Sequence, residues 1–142
     1  MTRYEADCMA CGVTWPNPMP STHRYGVFIA RGDTVAAFLD SNESPAWSRI
    51  AELHARARGG PTFEPELFQA LVSSLIDPID GEDLSIHHAL SCPECGSSQV
   101  VCAGRHPIDE IDVPVVTFRT FMALSTDEQF EAVCAILEDL DE

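Results

Sequence analysis

Cys8-Met9-Ala10-Cys11-Gly12 and Cys92-Pro93-Glu94-Cys95-Gly96 are two copies of one pattern, C-x-x-C-G, with 80 residues between Cys11 and Cys92. Six cysteines scattered at random through 142 residues would give about 0.25 C-x-x-C pairs, before a glycine is required after each. The recurrence therefore points to a shared task. Two residues between cysteines let a tight turn aim both sulfurs at one ion about 2.3 Å away, while amides in the turn point at the thiolates. The glycine takes the positive φ that ends the turn. Two such turns face to face present four thiolates in a tetrahedron, a closed site suited to structural Zn²⁺ with Cys8, Cys11, Cys92 and Cys95 as ligands.

At these ten residues the chain resembles a zinc ribbon with paired rubredoxin-type knuckles. The resemblance covers the knuckles and the strands expected beside them, and implies a metal that serves the architecture. It departs from compact four-cysteine sites, where roughly 15 to 20 residues separate the pairs. The expectation is an α+β fold in one domain over 1–142: a split zinc ribbon with a small antiparallel sheet, flanked by about three helices. The ribbon would occupy about 3–15 and 88–104, an insert 24–83, and a C-terminal strand and helix 112–140. Other ligand sets stay open. Cys92, Cys95, Cys102 and His106 can form a local site, leaving Cys8 and Cys11 as a separate dithiol, and a redox or disulfide role is a third reading. Cys102 and Cys134 read as small apolar residues in a strand and on a helix face.

Outward from the knuckles, Tyr25–Arg31 and Thr34–Asp40 read as a hairpin around a two-residue Gly32-Asp33 turn, with a short helix from Asp33 as the rival. Ser44 and Pro45 open a helix that Gly59-Gly60 closes. A second helix starts near Pro65 and stops at Asp77-Pro78. Gln99–Ala103 and Val113–Phe121 read as strands. Ser125 and Glu128 form a capping box for a last helix, whose acidic end, Glu138–Glu142, opposes the helix dipole and is expected to fray.

The formal charge is -15, and it is unevenly placed. Six acids balance six arginines through Phe63, whereas 17 acids face only Arg105 and Arg119 from Glu64 onward. Such a field attracts a cationic partner and disfavours direct contact with nucleic acid or an acidic membrane. No lysine occurs, which excludes Schiff-base, P-loop and lysine-base chemistry within this chain. The C-x-E at Cys92–Glu94 lacks the P-C-x-x-C that a zinc deaminase places downstream, and no metalloprotease, serine-hydrolase, dinucleotide or P-loop motif is present. His87 and His88 are the remaining catalytic candidates, but neighbours on a strand point to opposite faces.

The expected function is therefore non-catalytic. A zinc-stabilised acidic binding protein would neutralise or sequester a basic macromolecule through Asp77, Asp80, Glu82, Asp83, Asp109, Glu110 and Asp112, with Trp15 or Phe63 as an aromatic anchor. In size, charge and lack of catalytic motifs it is similar to the immunity proteins and antitoxins that inhibit basic toxin enzymes. The alternative is a zinc-ribbon accessory of transcription or translation that touches nucleic acid, for which only Arg3 and Arg105 lie near the knuckles in sequence. No apolar run reaches the roughly 18 residues of a membrane span, and Met1 to Cys11 lacks the features of a secretory signal, so a cytoplasmic address is expected.

Overall fold

Thr2, Ala6 and Cys8 are the buried positions of a strand that alternates inward and outward residues, β1 (Thr2–Cys8). It is the centre of an antiparallel sheet ordered β2-β1-β5, with β2 spanning Thr14–Met19 and β5 spanning Val100–Glu110. The computed structural model describes residues 1–19, 25–86 and 91–142, and no side chain at 103–106. Pro16 and Pro18 are tolerated in β2 because it is an edge strand, with one side outside the ladder. β5 pairs with β1 from Val100 opposite Cys8 to Glu110 opposite Thr2, with two register shifts between Cys102 and Asp109. It therefore runs beyond the expected ribbon boundary at 104, and Asp109 and Glu110 lie in its last residues.

The second sheet is the expected hairpin, β3 (Val27–Arg31) against β4 (Ala36–Asp40). Its turn has four residues, not two. Gly32 N–H donates to Val35 C=O at 2.8 Å, and the distant Glu82 carboxylate accepts from both the amide and the hydroxyl of Thr34. A Cβ on Gly32 would stand 2.8 Å from Glu82 Oε1, so a larger residue here would displace the Glu82 carboxylate from Thr34. The turn is thus also held by a side chain 48 residues away in sequence.

Helix α1 (Pro45–Ala57) begins as the sequence indicates, with Ser44 Oγ accepting from Trp47 N–H at 3.2 Å. It ends in a Schellman arrangement: Gly59, at φ 76°, donates to Arg56 C=O and Gly60 donates to Ala55 C=O. Helix α2 covers Pro65–Leu75, and α4 covers Thr126–Leu140 with both halves of the Ser125/Glu128 capping box formed. The α4 end differs from expectation. Asp141 is clasped by Arg58, whose Nη1 and Nη2 donate to its two oxygens at 2.9 Å each, so the acidic terminus is tied to α1.

Residues 113–118 do not form the expected strand. One parallel bridge joins Val115 to Phe38, in which Phe38 N–H donates to Pro114 C=O and Val116 N–H to Phe38 C=O. Asp77 then accepts from Thr117 Oγ1 and from the amides of Arg119 and Thr120, which turns the chain into a short helix α3 (Arg119–Met122). The described residues thus hold two small antiparallel sheets and four helices, a mixed α+β fold. The apolar core lies between the β3–β4 hairpin and the helices, with Leu39, Ile50, Leu53, Leu71, Val72, Phe121 and Val133 fully buried. Among the described residues no helix is long and apolar enough to cross a membrane.

Arg31 joins this core to the three-stranded sheet. Its Nη1 donates to Asn17 Oδ1 at 2.8 Å and its Nη2 to Pro18 C=O at 3.0 Å, while Asn17 Nδ2 lies 3.5 Å from Cys102 Sγ. Asn17 is buried, so the guanidinium satisfies a polar group that would otherwise be stranded.

Candidate metal centre

The two knuckles fold by the same backbone hydrogen bonds. Gly12 N–H donates to Cys8 C=O and Gly96 N–H to Cys92 C=O, each at 2.9 Å; Cys8 N–H donates to Val13 C=O and Cys92 N–H to Ser97 C=O, again at 2.9 Å. Gly12 and Gly96 stand at φ 80° and 72°, with nothing within 4 Å of where a Cβ would be. Here glycine is selected by the backbone angle alone. The strands bring the knuckles together: Cys8 ends β1 directly opposite Val100 of β5, and Met9 N–H donates to Gln99 C=O at 2.8 Å.

The four sulfurs consequently meet. Cys8 Sγ lies 3.6 Å from Cys95 Sγ, Cys11 Sγ lies 3.6 Å from Cys92 Sγ, and all four are within 4.8 Å of one another. A tetrahedron of ~2.3 Å metal–sulfur bonds has edges of about 3.8 Å, so the spacing fits one four-coordinate ion. It is well beyond the ~2.05 Å of a disulfide. Cys8 and Cys92 are buried, whereas Cys11 and Cys95 face solvent. Amide donors reach the buried pair, from Cys11 to Cys8 Sγ and from Glu94 to Cys92 Sγ, both at 3.4 Å.

The Cys11 amide leads the effects that lower the Cys8 thiol to about 6, against the opposing effect of burial. At Cys11 the Val13 amide favours the thiolate, but burial and the neighbouring sulfurs prevail and push it up to about 12. The four sulfurs crowd one another, so they titrate as a set and not as independent thiols. A metal that needs all four as thiolates must displace protons, and its affinity falls as pH falls.

Cys102 is not one of the clustered sulfurs; it sits in β5 opposite Ala6, half-buried beside Asn17. The His106 side chain, His87 and His88 lie outside the described residues. Cys134 is half-buried on α4.

Of the seven carboxylates expected to meet a partner, three have partners within the chain. Asp77 caps α3, and the Thr117 hydroxyl and two amides hold it below the usual carboxylate range although burial opposes this. Glu82 is lowered first by the Thr34 hydroxyl, and Asp109 by its ion pair with Arg3. Asp80, Asp83, Glu110 and Asp112 are exposed. Asp109 and Glu110 lie at the end of β5 remote from the knuckles, since Glu110 faces Thr2 and Val100 faces Cys8. Trp15 is half-buried in β2 opposite Ala6, and Phe63 is exposed in the loop between α1 and α2.

A network with no motif of its own joins three helix ends: Glu64 Oε2 lies 3.1 Å from both His54 Nε2 and Arg58 Nε, and Arg58 also holds Asp141. His54 reads in sequence only as a member of the inner face of α1. No family model, curated protein or solved structure matches the chain.

Proposed function

We propose that the chain is a non-catalytic binding protein in which Cys8, Cys11, Cys92 and Cys95 hold one structural Zn²⁺ in a split zinc ribbon, and that its anionic surface sequesters a basic protein. The observation that carries the metal half is the donor set: four sulfurs from two equivalent turns, at tetrahedral spacing. Four protein ligands leave no open position for substrate or water, which favours a structural over a catalytic ion. When bound, the ion crosslinks two distant turns and contributes its binding energy to folding. Metal analysis of the purified protein tests this, with one zinc per chain expected. Iron in its place would give a coloured one-electron centre, and no metal at all would remove the premise.

What supports the partner half is where the cations go. Arg3 pairs with Asp109, Arg49 with Glu52, Arg58 with Glu64 and Asp141, Arg31 is consumed by Asn17 and Pro18, and Arg56 lies over the Phe130 ring. Among the described residues Arg119 alone of the arginines makes none of these side-chain contacts. The excess of acid is therefore presented outward with few cations interspersed. A basic enzyme whose cleft is lined by Arg and Lys would be masked by such a surface, as with the inhibitors that immunity proteins and antitoxins represent. Titration against a basic nuclease at 50 and 200 mM salt tests it. Tight binding that weakens steeply with salt is expected, and salt-independent or absent binding would overturn the reading.

A further inference from the structure

Five of the eleven aromatic residues line one open cleft of about 370 Å³ between α1 and α2: Tyr25, Phe28, Trp47, Phe63 and Phe68, with the Glu64 carboxylate in its wall. The floor is ordered by ring contacts. Trp47 stacks on Phe28 at 5.3 Å between centroids and meets Phe68 edge-on at 5.1 Å. The rim is different, because Tyr25 is 96% and Phe63 94% exposed, so both rings stand in water beside an aromatic floor. Neither contributes to the core, and exposed apolar rings grouped around a concavity mark a place where something binds.

The chemistry of the lining specifies a cation. Aromatic faces carry negative quadrupole density and attract guanidinium or ammonium groups, planar guanidinium especially, since it also stacks. The one carboxylate of the lining, Glu64, also meets Arg58 and His54, so the preference for a cation is carried by the rings together with the chain's charge of -15. A second copy of this chain is a poor occupant, because it carries the same charge of -15 and its described arginines are mostly engaged internally. We propose that this aromatic cleft receives an arginine side chain of a basic protein partner, with Tyr25 and Phe63 closing over it. This rests on the anionic-surface reading above and gives it a fixed anchor point.

The test uses the intact chain carrying Trp15→Phe, so that Trp47 alone reports, titrated with an octa-arginine peptide at constant salt. A saturable change in Trp47 emission is expected. Phe63→Ala and Tyr25→Ala in that background should each weaken binding roughly three- to thirtyfold while circular dichroism and Tm stay unchanged, as their exposure requires. Equal affinity in all three proteins overturns the cleft and leaves the anionic surface standing. Failure of the parent protein to bind the peptide overturns both. Sedimentation showing a parent dimer that Phe63→Ala converts to monomer would assign the cleft to a second copy, and also overturns the proposal.

Discussion

At the residue scale the molecule depends on a few atoms whose partners are distant in sequence. Cys8→Ser removes a buried sulfur that receives an amide hydrogen bond and sits at the meeting of β1 and β5. It should abolish stoichiometric zinc and lower Tm by more than any single surface acid substitution, read by metal analysis with a parallel melt. Chelator added to the parent protein should move Tm in the same direction. Gly12 and Gly96 were readable in advance because their role is local, a φ that a following-glycine turn demands. In sequence Asp77, Glu82 and Asp109 read as acids free to meet a partner, because nothing near them announces Thr117, Thr34 or Arg3. Their pH behaviour follows from their contacts. The folded state holds these carboxyls below their ordinary range of about 4, so their contribution is complete above about pH 5 and is lost as pH falls through the folded values. A pH titration of stability in urea should be flat near neutrality and decline below about pH 4.5, and a decline on the alkaline side from these groups would contradict the assignment.

Elements divide according to whether their signals are local. Helices α1, α2 and α4 were legible from Ser44, Pro65 and the Ser125/Glu128 pair because caps act within one turn. Replacing Ser125 with Ala should cost about 1 kcal/mol in a denaturant melt, with m unchanged. Leu71→Ala, at a fully buried position of α2, which packs on α4, should cost about 2–5 kcal/mol. Strand β2 was not legible beyond Trp15, since Pro16 and Pro18 read as strand breakers until the edge position is known. Val113–Phe121 has strand composition, but Pro114 and the caps supplied by Asp77 convert it into one bridge and a helical turn. In both cases propensity yields to what the neighbouring chain offers.

For the whole molecule, the pairing of β1 with β5 settles what spacing alone left open. The repeated C-x-x-C-G made the four cysteines readable as one group, yet the 80-residue separation made their meeting a matter of topology, and the register of Cys8 with Val100 brings them together. The direction of the charge was equally readable from composition. Which carboxylates are spent inside was not, because it depends on arginines brought in from other elements. Arg31 is the test of how firmly the two sheets are coupled. Arg31→Met should leave each sheet's own ladder intact but strand the buried Asn17 Oδ1 without a donor, and so lower the midpoint of a denaturant melt.

The long interval between the knuckles also imposes a timetable on synthesis. At about 5–20 residues per second, the second pair of thiols leaves the ribosome roughly 4 to 16 s after the first, and after the hairpin and two helices have already been made. For that interval Cys8 and Cys11 are an unmated dithiol, able to take metal only loosely or to be oxidised. Closure of the centre is therefore a late event, and a loaded ion certifies a chain translated at least through its ninety-fifth residue.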